Sequence, residues 1–87
     1  MDANGTLAYF TYNEFVDYAG RIVVDRDIRF GKPVIKGTRI AVSDVLDYMA
    51  AGNSEDAIVA DFPQLSVEDI RACLAFAADR ERYTRIA

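Results

Sequence analysis

The stretch GKPVIKGTRIAV, residues 31–42, carries the features from which the fold is predicted. Pro33 lacks an amide hydrogen and therefore suits the start or the edge of a strand. Residues 34–36 and 39–41 form two short runs rich in β-branched side chains. Gly37 and Thr38 between them suit a type II′ turn with glycine in the first position. The stretch is therefore predicted to form a β-hairpin.

Three helices are predicted downstream of this hairpin. Ser43 is expected to cap the first helix and Ser54 the second, whereas Ser66 and Asp69 form a capping box for the third. Each helix carries an apolar stripe, and the short connections leave these stripes to pack against one another.

The predicted fold is mainly α: a tri-helical, helix-turn-helix-like domain preceded by a short β-hairpin and an N-terminal aromatic segment. RIVVD, residues 21–25, is a further strand candidate, and TYNEFVDYAG, residues 11–20, reads as a short helix. The predicted organisation is residues 1–20 as the aromatic segment with its helix, 21–83 as the domain and 84–87 as a tail.

Composition narrows the class of protein. The chain has 87 residues, of which 52% are hydrophobic and 28% charged, as in a single globular domain. Cys73 is the only cysteine and there is no histidine, so neither an internal disulfide nor a zinc cluster is expected. No apolar run approaches the ~18 residues of a membrane span, and the N-terminus lacks the basic start of a signal peptide. We expect a cytoplasmic protein without a cofactor.

The sequence also argues against an enzyme. The usual pairs of nucleophile and base are missing, and no glycine-rich phosphate loop is present. Cys73 falls within the apolar stripe of the third helix, where a buried structural thiol is expected. The adjacent carboxylates at the helix starts are better explained by capping and by the helix dipole than by acid–base catalysis.

Charge is divided along the chain, although the net charge is −4. Residues 21–39 carry six bases against two acids, a net charge of +4, and residues 44–69 carry seven acids and no base. The basic segment could contact phosphates, or it could lie against the acidic helices and neutralise them. The sequence leaves both interpretations open.

A DNA-binding surface is predicted on the hairpin. The second and third helices are similar to a helix-turn-helix, although Pro63 stands where that motif usually has glycine. The third helix begins with Glu68 and Asp69, which disfavour phosphate contact. A basic hairpin beside such helices can approach DNA as a wing. The predicted DNA-binding residues are Lys32, Lys36, Gly37, Thr38, Arg39 and Arg71.

The segment from residue 21 to about residue 80 resembles domain-of-unknown-function family 433. The resemblance is carried by GKPVIKGTRIAV together with DFPQLSVEDI, residues 61–70. Gly31, Pro33, Gly37, Thr38 and Arg39 match the family string. Residues 1–20 lie outside the pattern.

This resemblance implies a VapB-type antitoxin that neutralises a PIN-like ribonuclease toxin and represses its own operon. A homodimer is expected, since the core is small and aromatic residues are in surplus near the N-terminus. Arginines suit the carboxylates of a nuclease site. The predicted partner-binding residues are Tyr9, Phe10, Arg80, Arg82, Tyr83 and Arg85. The alternative is an interaction or scaffold domain that binds protein but not DNA.

Overall fold

A computed structural model of the chain describes residues 18–82. Along this range the elements are β1 (Ile22–Val23), β2 (Val34–Ile35), α1 (Val42–Ala50), α2 (Glu55–Asp61) and α3 (Val67–Arg82). Most of the predicted N-terminal helix and the whole predicted tail lie outside the described residues. The predicted fold class is confirmed, because three helices follow a short antiparallel pair of strands within this range.

The strand pairing differs in detail from the predicted hairpin. β1 and β2 are antiparallel, with Ile22 opposite Ile35 and Val23 opposite Val34. The predicted strand over residues 39–41 is reduced to one bridge between Val34 and Ala41. The reason is that α1 begins at Val42, so the chain leaves the sheet at once. The strand candidate RIVVD is confirmed for its residues Ile22–Val23, which form β1 and supply the main partner of β2.

The turn after β2 also differs from the predicted type. The Thr38 N–H donates to the Ile35 carbonyl at 3.0 Å, which makes Gly37 the third of the four turn residues. Gly37 has a φ of +81°, as the third position of a type II turn requires. The Thr38 hydroxyl donates to the Ile35 carbonyl at 2.8 Å and accepts from the Ile40 N–H at 2.9 Å. Thr38 therefore closes the turn with its side chain.

The first helix begins earlier than predicted. Its N-cap is Ala41 instead of Ser43. The Asp44 carboxylate, at the third helical position, accepts a hydrogen bond from the Ala41 N–H at 3.0 Å, which is the half of a capping box that an acidic residue supplies.

The predicted caps of the other two helices are confirmed. The Ser54 hydroxyl accepts from the Ala57 N–H at 3.1 Å at the start of α2. At the start of α3, the Ser66 N–H donates to the Asp69 carboxylate at 3.0 Å, and the Asp69 N–H donates to the Ser66 hydroxyl at 3.2 Å. These caps satisfy amides that have no partner inside their helices.

The core lies where β1 and β2 meet the three helices. Its most deeply buried large side chains are Ile35, Val45, Ile58, Ile70 and Cys73. Cys73 is fully buried, as predicted, and burial, with the nearby Asp69 charge, raises the pKa of its thiol to about 12. None of the helices within residues 18–82 is long and apolar enough to cross a membrane.

Candidate nucleic-acid interface

Two arginines of the predicted basic segment act as internal counterions. Arg21 Nη1 lies 3.0 Å from Asp69 Oδ1, at the first turn of α3. Arg29 Nη1 lies 3.0 Å from Asp44 Oδ2, at the first turn of α1. The interpretation in which the basic segment neutralises the acidic helices therefore holds for these two residues.

The other four cations of the basic segment remain exposed. Arg26, Lys32, Lys36 and Arg39 make no ion pair with any residue of the range 18–82. The charge of Lys32 helps to lower the pKa of Asp44 electrostatically, without an ion-pair contact. We call residues 26–39 the cationic segment, because the exposed and unpaired positive charge of the described chain is concentrated there.

Cations elsewhere in the described range are engaged. Arg71 Nε lies 3.5 Å from Glu55 Oε2, and Arg82 pairs with Asp79. The Arg80 guanidinium stands 5.5 Å from the centre of the Phe76 ring, in a cation–π contact. The unpaired positive charge of the described residues therefore lies mainly in the cationic segment.

Within this segment, residues 29–31 form a left-handed turn. The φ angles are +52° for Arg29, +59° for Phe30 and +85° for Gly31. Only glycine adopts this conformation without steric cost, and other residues lose about 1–2 kcal/mol each. Two consecutive bulky residues in this region are therefore held there by the surrounding structure.

The contacts that hold this turn come from Arg29 and from the backbone. Arg29 Nη1 donates to the Arg39 carbonyl at 2.7 Å as well as to Asp44 at 3.0 Å. The Gly31 N–H donates to the Ile28 carbonyl at 3.1 Å, and the Lys32 N–H to the Arg29 carbonyl at 3.1 Å. Arg29 thus ties the left-handed turn to the turn after β2 and to α1.

The left-handed turn presents Phe30 to solvent. This side chain is 99% exposed, whereas Val24 and Tyr48, the other exposed large apolar residues of the described chain, are 63% and 36% exposed. Sequence reasoning missed Phe30. The available signal was an aromatic residue within the polar stretch DRDIRFGK, residues 25–32, directly before a glycine.

Asp44 is held in its charged form at the base of the cationic segment. Partial burial by itself raises the pKa of this carboxyl. The hydrogen bond from the Ala41 N–H and the contact with the Arg29 guanidinium outweigh that effect, so the pKa lies below its ordinary value. Asp44 therefore stays an anion near neutral pH and keeps Arg29 in place.

The structure brings together most of the predicted DNA-binding residues. Lys36, Gly37, Thr38 and Arg39 form or adjoin the turn after β2, and Lys32 closes the left-handed turn. The Thr38 hydroxyl is already used within its turn. Arg71 stands apart on α3 in its pair with Glu55, and Glu68 nearby is exposed.

The predicted partner-binding residues fall into two groups. Arg80 and Arg82 lie at the end of α3, where Asp79 accepts hydrogen bonds from the Tyr18 hydroxyl and from Arg82. The Tyr18 hydrogen bond, followed by the Arg82 contact, lowers the pKa of the Asp79 carboxyl. Tyr9, Phe10, Tyr83 and Arg85 lie outside the described residues.

Fold and surface together define a small tri-helical domain whose β element carries an exposed cationic segment. The chain belongs to the family described as "Protein of unknown function (DUF433)", whose model matches residues 22–77. The resemblance found from the sequence motifs is thereby confirmed.

The chain is similar to a protein of known sequence and to a solved structure. The chain is 41% identical over 51 residues to "Uncharacterized protein y4eO" of Sinorhizobium fredii, covering 59% of this chain and 23% of that protein. The chain therefore spans less than a quarter of that relative's length. It is also similar to the crystal structure of a DUF433 member from Anabaena variabilis, with a TM-score of 0.69 and 21% identity, covering 92% of this chain and 74% of that one. At this identity the similarity concerns the fold alone.

Proposed function

We propose that this protein is a DNA-binding regulator of the antitoxin type, which contacts operator DNA through its cationic segment. The observation that carries the proposal is the exposure of Arg26, Lys32, Lys36 and Arg39 without ion pairs inside residues 18–82. Four exposed cations without ion-pair partners can neutralise phosphates without first breaking an internal contact. Phosphate neutralisation also supplies most of the affinity of proteins for DNA.

The cationic segment is a better phosphate surface than the start of α3. Glu68 is exposed there, Asp69 is used in the helix cap, and Arg71 is paired with Glu55. In a helix-turn-helix, the recognition helix normally enters the major groove with its N-terminal residues. Carboxylates at this position oppose such an approach, so the proposed contact is made through the turns on either side of β2.

A double substitution tests the DNA contact. Lys36→Ala with Arg39→Ala should weaken binding to a duplex from upstream of the protein's own gene. The dependence of log K on log salt should flatten by roughly one for each phosphate that the variant no longer neutralises. The matched control is Lys36→Arg with Arg39→Lys, which keeps both charges and should keep both the affinity and the salt dependence.

Fluorescence anisotropy at four salt concentrations measures both quantities, and thermal melting confirms that the variants are folded. Failure of the wild-type protein to bind its upstream duplex or a random duplex would overturn the DNA-binding proposal. Equal binding by the alanine variant would instead remove Lys36 and Arg39 from the contact.

The partner part of the proposal is a PIN-like ribonuclease toxin, and it rests on the family resemblance. Of the predicted partner-binding residues, Arg80 and Arg82 lie within the described range. Because Arg82 is paired with Asp79, a truncation that tests the tail should end after Arg82. A chain lacking residues 83–87 is expected to lose inhibition of the nuclease encoded beside its gene, while its melting temperature stays unchanged. Full inhibition by this chain would exclude a role of residues 83–87 in the inhibition.

A protein-only interaction domain is the second candidate, and an apolar groove favours it. Pro33, Leu46 and Phe76 line this shallow, open groove of about 600 Å³, which lies beside Lys32 and Arg80. In this interpretation the groove binds a partner chain and the cations lie at its rim. Salt-insensitive binding to the neighbouring gene's product, without binding to any DNA, would favour this candidate. Light scattering on the same samples would test the proposed homodimer.

A further inference from the structure

The exposed position of Phe30 costs folding stability, and no contact with the described residues explains it. A fully exposed phenylalanine gains no burial energy, and its left-handed backbone carries a steric cost. Phe30 is nevertheless 99% exposed, at a φ of +59°. The contacts that hold the turn all come from Arg29 and the backbone. The backbone of the turn therefore holds the Phe30 side chain out in solvent.

The residues near Phe30 in the chain indicate the chemistry of the ligand that it contacts. The cationic segment places Arg26 and Lys32 on the two sides of the turn in sequence. Arg39 lies after Lys36 in the chain, and the Arg39 carbonyl accepts a hydrogen bond from Arg29 Nη1. The Arg26 backbone also lies close to Gly31, since a Cβ at Gly31 would stand 3.8 Å from the Arg26 Cα. An exposed apolar ring on a segment that carries unpaired cations suits a polyanion that also offers flat apolar faces.

We infer that Phe30 is a wedge that inserts between stacked bases of duplex DNA, while the cations of the cationic segment hold the flanking phosphates. Phenylalanine is among the apolar side chains that proteins insert into base steps, and such insertion unstacks the bases and kinks the duplex. Pyrimidine–purine steps are the easiest to open. This inference rests on the proposed function, because it requires that the cationic segment bind DNA.

Phe30→Ala removes the ring and leaves every cation in place. Without one stacked base, binding should weaken roughly tenfold, a loss of the size found when a base-stacking aromatic residue of a single-strand-binding protein is changed to alanine. The salt dependence should stay that of the wild type, because every phosphate contact is kept. This combination differs from the Lys36→Ala, Arg39→Ala variant, which should flatten the salt dependence.

Unstacking can be read without knowing the operator sequence. Permanganate oxidises thymines whose faces are exposed, so wild-type protein bound to its upstream duplex should create reactive thymines at one or two steps. A donor and an acceptor dye at the duplex ends should also approach each other as the DNA kinks. Both signals should disappear with Phe30→Ala at saturating protein.

Two further variants distinguish the effect of the Phe30 ring on DNA binding from the effect of the turn's backbone conformation and from that of exposed apolar side chains in general. Phe30→Gly favours the left-handed backbone but lacks the ring, so it should bind as weakly as Phe30→Ala. Wild-type binding by Phe30→Gly would show that the turn matters and the ring does not, which overturns the inference. Val24→Ala removes another exposed apolar side chain and should leave binding and thymine reactivity unchanged.

The outcomes distinguish this inference from the proposed function. If the wild type binds no DNA, the proposed function fails and the wedge fails with it. If the wild type binds with a salt dependence that requires Lys36 and Arg39, yet opens no base step, the proposed function stands and the wedge is wrong. If Phe30→Ala leaves DNA binding intact but abolishes self-association or capture of a partner protein, Phe30 is a protein contact and the inference is again wrong.

Discussion

Arg29 Nη1 lies 3.0 Å from Asp44 Oδ2, and this ion pair joins the left-handed turn at residues 29–31 to the first turn of α1. The same nitrogen donates to the Arg39 carbonyl at 2.7 Å. One guanidinium therefore positions both turns of the cationic segment relative to the helical core. The pair also explains why Arg29, unlike Arg26, is not available to an external phosphate.

Replacing Arg29 should destabilise the protein modestly. Arg29→Ala removes the hydrogen bond to the Arg39 carbonyl and the partly exposed, hydrogen-bonded ion pair with Asp44, so we expect a decrease of about 1 kcal/mol in the free energy of unfolding. Arg26→Ala is the matched control, since Arg26 makes no ion pair within the described range, and its effect should stay within about 0.5 kcal/mol. Urea denaturation measures both values. An equal effect of the two substitutions would contradict the anchoring role of Arg29.

The stability of the protein should depend on pH through Asp44. The pKa of Asp44 is lowered in the folded state, whereas an unfolded aspartate has a pKa of about 3.9. Its contribution is therefore complete above the unfolded pKa and is lost as the pH falls through the lower folded pKa. Asp44→Asn should lower the melting temperature at pH 7 and have a much smaller effect near pH 2.

Melting curves between pH 2 and pH 7 test this dependence, with Asp47→Asn as the control on the same helix. Asp47 is exposed and makes no ion pair within residues 18–82. A difference between wild type and Asp44→Asn that is as large at pH 2 as at pH 7 would rule out the charged form as its cause.

The left-handed backbone of Phe30 should be visible in stability measurements that involve no DNA. Phe30→Gly relieves a steric cost of about 1–2 kcal/mol but raises the entropy of the unfolded chain by about 0.5–1 kcal/mol. We expect a free energy of unfolding equal to that of the wild type or up to about 1.5 kcal/mol higher. Phe30→Val should be less stable, because a β-branched residue tolerates this region poorly. A clearly destabilised Phe30→Gly would show that the ring makes an internal contact.

Cys73 should react with thiol reagents only when the protein opens. Its side chain is fully buried and the pKa of its thiol is raised to about 12, so little thiolate forms and reagents have no access. At pH 8 the native protein should react with a disulfide reagent at least roughly a hundredfold more slowly than the protein in guanidinium chloride. Complete labelling of the native protein within the mixing time would contradict this burial.

The starts of α2 and α3, and the burial of Cys73, were determined by the sequence itself. Ser54 caps α2, and Ser66 with Asp69 caps α3, because each hydrogen bond joins residues only three apart along the chain. Such contacts need no tertiary partner, so local residue types are enough to predict them. The apolar stripe of α3 placed Cys73 in the core for the same reason.

Only the tertiary structure decided which strand pairs with β2, which cations are neutralised and where Phe30 lies. The pairing of Ile22 with Ile35 and the ion pairs Arg21–Asp69 and Arg29–Asp44 join residues that are 13 or more positions apart. Their formation depends on the packing of the whole core, which no local pattern encodes. Phe30 adopts its left-handed conformation against the preference of its residue type, because the contacts of Arg29 and of the surrounding backbone outweigh that preference.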